Sequence, residues 1–122
     1  MKHVTLTNIE KGKIGEEFAQ ALYRKARFEI AETDLRMGRS QVDFVAKRDG
    51  IYAFVEVKFR QSLDEAHAAI QAGQFTRIAR VAEKYMFDKS SPWQLDALLI
   101  DKHMNWHRID NIPYAMHIWR RY

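Results

Sequence analysis

The chain has 122 residues, 47% of them hydrophobic and 30% charged, a balance that predicts one folded domain over 1–122 and excludes a disordered chain. It has no cysteine, so disulfides, thiolate zinc sites and a cysteine nucleophile drop out, and no apolar run approaches the roughly 20 residues of a membrane span. The net charge of +4 favours a polyanionic partner only mildly, and the opening "MKHVTLTNIE" lacks an apolar signal core, so a cytoplasmic location without membrane contact is expected.

The first element starts at a capping box. In "TNIE" the Thr7 side chain can accept from the backbone three residues on, while Glu10 reaches back. A helix is predicted from near Asn8 to about Arg27, with Ile14, Phe18, Leu22 and Lys25 on its inward stripe. Residues 28–35, "FEIAETDL", read as a strand and "RMGRS" as a loop. Residues 41–47 and 51–59 read as a hairpin folded about Asp49-Gly50. A second long helix is predicted over 65–87, with Ile70, Ile78, Val81, Ala82 and Tyr85 inward. "SSP" breaks the chain before the strand "WQLDALLI", and Lys102-His103 turns it into a last strand, "MNWHRI". The order α-β-β-β-α-β-β predicts an α/β fold with a mixed central sheet flanked by helices.

The hairpin places charge where the sheet is most hydrophobic. With Asp49-Gly50 as a two-residue turn, Arg48 pairs with Ile51, and counting inward sets Asp43 opposite Glu56. Lys58 follows Glu56 by two residues and shares its face. Carboxylates about 5 Å apart at an effective dielectric of about 20 repel by roughly 3 kcal/mol. Two escapes exist. Either the groups reach water, with Glu56 and Lys58 a solvated ion pair of little energetic weight, or a divalent cation turns repulsion into ligation. Hard oxygen ligands at this spacing suit Mg2+ or Mn2+.

Glu16 joins the question through a second face of the first helix. Gly12, Gly15, Ala19, Tyr23 and Ala26 would let that helix lie close to a backbone, bringing Glu16 over the sheet. The alternative is a solvated glutamate near a helix start, favoured by the dipole. Other constellations are weaker. His103 and His107 fall on an inferred hairpin, where they cannot converge as a helical pair would. No serine has a His/Asp grouping nearby, and Gly12 and Gly15 lack the strand that precedes a phosphate loop. Asp96 reads as structural. The arginines, Arg120 and Arg121 among them, read singly as solvated charges or together as a phosphate-binding surface.

"GKIGEEFAQALY", "SQVDFVAKRDGIYAFVEVKFR", "RIARVAEKYM" and "LDALLID" resemble the YraN-like family of small bacterial proteins, related to the PD-(D/E)XK nuclease superfamily with its restriction enzymes and Holliday-junction resolvases. The resemblance runs from about Lys11 to Ile109. It implies a restriction-endonuclease-like αβββαβ core, with the superfamily motif on Asp43, Glu56 and Lys58 and the helix glutamate of some members on Glu16. It further implies a metal-dependent nuclease acting on DNA. Asp43, Glu56 and the backbone carbonyl of Val57 would hold Mg2+ or Mn2+. Lys58 would act on water and phosphate, and Glu16 would serve as an outer or second-metal ligand. Arg36, Arg39, Arg60 and Arg77 are the expected nucleic-acid contacts, and a homodimer is left open. Two positions depart from the family pattern. Gln41 stands where a glutamate is usual and, by the same ladder, across from Lys58; Gln74 stands where a lysine is usual, turned toward the core. A catalytically silent nucleic-acid-binding module and a protein-interaction domain are the alternatives on the same fold.

Overall fold

The structure is a computed structural model and describes residues 6–112; Arg120 and Arg121 lie outside that range. Helix α1 (Asn8–Lys25) begins on the expected capping box, with Thr7 accepting from the Glu10 backbone and Glu10 accepting from the Thr7 backbone. It ends two residues earlier than predicted, because Arg27 takes a left-handed φ of 70° that a helix cannot hold. Its buried side is Gly15, Ala19 and Tyr23, and Ile14 is exposed. The inward stripe predicted through Ile14 and Lys25 is therefore corrected at those two positions, which are exposed, while Phe18 and Leu22 flank the buried face of Gly15, Ala19 and Tyr23 that the sequence also marked as lying close to the sheet.

Strands β1 (Glu29–Met37), β2 (Ser40–Arg48) and β3 (Ile51–Phe59) form an antiparallel meander. The expected "RMGRS" loop shrinks to Gly38-Arg39, since Met37 already pairs with Ser40 and Gly38 supplies the left-handed φ. The second turn is as predicted. Asp49 and Gly50 both have positive φ, the requirement of a two-residue primed turn, and Arg48 pairs with Ile51.

The crossover from β3 holds two helices, not one. α2 (Leu63–Ala68) ends at Ala69, and α3 (Ala72–Tyr85) starts after Gln71. The backbone N–H groups of Ala69 and Ile70 fold back on the carbonyls of α2, closing it, while Ile70 drops onto the core. The stripe Ile78, Val81, Ala82 is buried as predicted, with Ile70 and Tyr85 packed against it. Strand β4 (Trp93–Ile100) then pairs parallel to β3, and β5 (Trp106–Ile109) closes the order β1-β2-β3-β4-β5. β5 is two residues shorter than expected because Asp101 gathers the turn: its carboxylate accepts the His103 and Asn105 backbone N–H groups and the Asn105 amide.

The result is a five-stranded mixed sheet with helices on both faces. α1 covers Phe44, Ala46, Ala53, Val55 and Leu98, while α2 and α3 cover Val42, Val45, Phe54, Leu95 and Leu99. Asp96 is fully buried in β4 and satisfied. Tyr23 of α1 donates to it at 2.6 Å, and Arg108 of β5, Gln94 and the Asn111 backbone supply the rest. This ties α1 to the sheet and bears out the structural reading of Asp96. Among the described residues no helix is long and apolar enough to cross a membrane.

Candidate functional site

The β2–β3 ladder runs from Arg48–Ile51 to Phe44–Val55 and there the recorded pairing stops. Asp43 is the next residue on β2, and its carboxylate, not its backbone, takes the following contact: Val57 N–H donates to Asp43 Oδ2 at 2.7 Å. Asp43 thus sits in the gap where the two strands part, near the carboxyl end of β3, which is where open α/β sheets offer a crevice. The expected placement of Gln41 across from Lys58 is not found, because the ladder ends first. Gln41 pairs with Arg36 on the other side, and its amide donates to Asp34 at 3.1 Å.

Glu16 and Glu56 both lean on Asp43. Burial pushes Glu16 up to about 8, helped by a hydrogen bond and charge repulsion from Asp43 and by the charge of Asp34. Burial likewise pushes Glu56 up to about 9, with repulsion from Asp43 and a hydrogen bond to it adding to the rise, and Lys58 opposing it. Asp43 is therefore the shared neighbour of two carboxyl groups, Glu16 from α1 and Glu56 from β3. α1 can bring Glu16 this close because Gly15 lies against Phe59: a Cβ at Gly15 would stand 3.0 Å from the Phe59 ring.

Lys58 completes the group from the other face of the crossover. Its Nζ stands 4.0 Å from Glu56 Oε1 and donates to Gln74 Oε1 of α3 at 2.6 Å. Lys58 and Glu56 are each only 8% exposed, so neither is the solvated surface pair that the sequence left open. Gln74 does turn toward the site, where its neutral carbonyl anchors the ammonium.

A cleft of about 670 Å³ opens over the carboxyl groups, lined by Glu16, Asp43, Glu56, Val57 and Glu65 together with Lys11, Arg60 and Lys102, while Lys58 and Gln74 lie behind it. Of the four arginines expected at a nucleic-acid surface, Arg60 lines it. Arg36 on β1, Arg39 in the first turn and Arg77 on α3 are exposed elsewhere. Lys11, Lys102 and Asp34 were missed from sequence. Lys11 carried a signal, lying one helical turn before Gly15-Glu16. Asp34 carried none: its left-handed φ of 49° and its place opposite Asp43 follow a β-bulge between Ile30 and Glu32.

The donor set fits a hard divalent cation in chemistry: carboxylate oxygens crowded together at the cost of raised proton affinity, with Val57 beside them. Among the described residues no three acidic or histidine side chains already stand as a ready ligand cluster, so ligation would require the carboxyl groups to shed protons and draw together. His103 and His107 take no part.

The span that builds the core and this site is also the span shared with other proteins. The model of the "Uncharacterised protein family UPF0102" matches residues 15–112, taking in Glu16, Asp43, Glu56, Lys58 and Lys102. A UPF0102 protein of Chloroherpeton thalassium is 33% identical over 87 residues, covering 70% of this chain and 67% of that protein. One from Azorhizobium caulinodans is 33% identical over 96 residues, covering 75% and 73%. One from Roseiflexus castenholzii is 27% identical over 113 residues, covering 86% and 91%. With a match across the whole sheet and relatives aligned over most of their own length, the chain belongs to the UPF0102 (YraN) family.

Proposed function

We propose that this protein is a PD-(D/E)XK-type, metal-dependent nuclease acting on DNA phosphodiester bonds. The observation that carries the reading is the grouping of Asp43, Glu56 and Glu16 in one cleft that Lys11, Arg60 and Lys102 also line, with the buried Lys58 beside Glu56. Asp43 and Glu56, with the Val57 carbonyl, would hold Mg2+ or Mn2+. When bound, the cation supplies Lewis-acid polarisation of the scissile phosphate and of water. Lys58, steadied by Gln74, keeps N–H donors free for a phosphate oxygen, the position where charge grows during attack at phosphorus. Glu16, protonated at neutral pH in the metal-free protein, serves as an outer carboxyl that keeps Asp43 in place.

A second reading, a nucleic-acid-binding module without chemistry, is favoured by the lack of a ready ligand cluster among the described residues. A cleavage panel separates the two: single-stranded, duplex and branched DNA with Mg2+ or Mn2+ titrated against EDTA. The nuclease reading expects cation-dependent cleavage that Asp43→Asn and Lys58→Ala both abolish, with Lys58→Ala retaining most metal binding. Cleavage that survives in EDTA, or in the double variant, places the chemistry elsewhere. Binding without cleavage of any DNA leaves the second reading.

A further inference from the structure

Three cations line the cleft beside the carboxylates, and among the described residues none of them has an ion-pair partner: Lys11 in the first turns of α1, Arg60 just past β3, and Lys102 in the β4–β5 turn. Two are held by hydrogen-bonded backbone. Arg60 N–H donates to Ile100 O at 2.9 Å, and its guanidinium donates to the Phe59 carbonyl at 2.8 Å. Lys102 rides on the turn that Asp101 closes with three hydrogen bonds. The cations come from three separate elements and line the same cleft as Glu16, Asp43, Glu56 and Glu65, so an anion there finds three positive groups beside the carboxyl groups. Among the described residues Phe59 is the one aromatic in the cleft lining, and its ring lies close to Gly15, so charge rather than an array of aromatic faces is what the cleft offers a strand. At about 670 Å³ it falls within the small-ligand range of about 300–1,000 Å³, a size that suits a short stretch of one strand.

We infer that Lys11, Arg60 and Lys102 form a phosphate-holding rim that seats a single nucleic-acid strand by its backbone, with a phosphodiester over the carboxylate floor. The inference rests on the nucleic-acid reading of the cleft and adds which residues hold the strand, in what form and by which groups. Each phosphate contact on a single strand contributes a slope of about −0.7 to log K against log salt, so the rim accounts for about −2.

The test is binding of a labelled 20-nucleotide single-stranded DNA to the full chain in EDTA, from 25 to 200 mM NaCl. The variant Lys11→Gln/Arg60→Gln/Lys102→Gln should lose about 2 units of slope and at least tenfold in affinity at the lowest salt, with an unchanged thermal melt. Arg60→Lys with Lys11→Arg and Lys102→Arg should keep the slope, as should Arg36→Gln/Arg39→Gln/Arg77→Gln. A slope that survives the rim variant and disappears in the Arg36, Arg39 and Arg77 variant overturns the inference. So does a rim-dependent slope seen only with duplex, which would overturn the single strand. Because no metal is present, these results are independent of cleavage: a failed rim, or absent binding at 25 mM, overturns the inference and leaves the nuclease reading to the cleavage assay.

Discussion

Replacing Asp96 by asparagine keeps the shape of the side chain and removes its charge at the most buried polar position of the sheet. Asp96 is 0% exposed and takes the Tyr23 hydroxyl at 2.6 Å, Arg108 Nη2 at 3.0 Å, Gln94 Nε2 at 2.9 Å and the Asn111 backbone N–H at 3.1 Å. All of these are donors. Asparagine offers one acceptor oxygen, so whichever way its amide turns, its NH2 faces donors on one side. If the oxygen stays with Tyr23 and Arg108, the Asn111 N–H is orphaned, at about 1–3 kcal/mol. The loss of charge assistance to Arg108 adds about 1–2 kcal/mol, kept below the 3–5 kcal/mol of a fully buried broken pair because the Arg108 side chain is 27% exposed and regains water. The expected total is about 3 kcal/mol, or roughly 12 °C in melting temperature at about 4 °C per kcal/mol for a chain of this size. Urea unfolding followed by far-UV circular dichroism, with a thermal melt, reads it directly. Tyr23→Phe, which removes one donor to Asp96 and one acceptor of Arg108 Nε but leaves the charge in place, should cost about half as much. An Asp96→Asn protein within about 1 kcal/mol of wild type would refute the reasoning that this carboxylate pins α1 through its charge.

Gly15→Ala sets a helix-propensity gain of about 1 kcal/mol against overpacking of about 1–3 kcal/mol. The new Cβ would lie 3.2 Å from Phe59 Cβ, which cannot swing aside as the ring can, so a net loss of about 1 kcal/mol in urea unfolding is expected, and a stabilised variant would contradict the close approach. Glu16 and Glu56 are raised in the folded chain to about 8 and about 9 from an ordinary 4.5, so their protonation favours folding fully below pH 4.5 and that contribution is lost as pH climbs toward 9. In EDTA the urea midpoint should fall from pH 5 to pH 9, and Glu56→Gln should flatten the fall; a midpoint that rises across this window refutes the crowding. Gln74→Ala leaves the buried Lys58 ammonium with Glu56 alone at 4.0 Å and should cost about 1–2 kcal/mol in the same unfolding assay, whereas a neutral result would mean water replaces the amide freely.

What was legible in the chain followed from local chemistry. Asp49-Gly50 set the register as far as Phe44–Val55 because two positive φ values leave a hairpin no other choice. The gap beyond it was not legible, since a side chain replacing a ladder contact, as Asp43 does at Val57, leaves no trace in alternation. Apolar periodicity on α1 found only the flanks, Phe18 and Leu22, whereas the small-residue spacing read separately in the sequence located the buried face of Gly15, Ala19 and Tyr23. The same periodicity joined α2 to α3, because Ile70 continues the apolar stripe through the break. Lys102 became part of the cleft only through the turn closed by Asp101, a tertiary arrangement with no signature in spacing.

The parallel pairing of β3 with β4 also orders events in time. Tyr52 meets Trp93 across 41 positions of chain, whereas β1, β2 and β3 are joined by two-residue turns. Hairpins close in about 1–10 μs, while non-local pairing must first overcome the entropy of a long loop. The meander, which brings Asp43 and Glu56 together, is therefore expected to form ahead of the β3–β4 pairing. Until β4 arrives, β3 presents an open edge through Phe54 and Val55, which become fully buried only in the finished sheet.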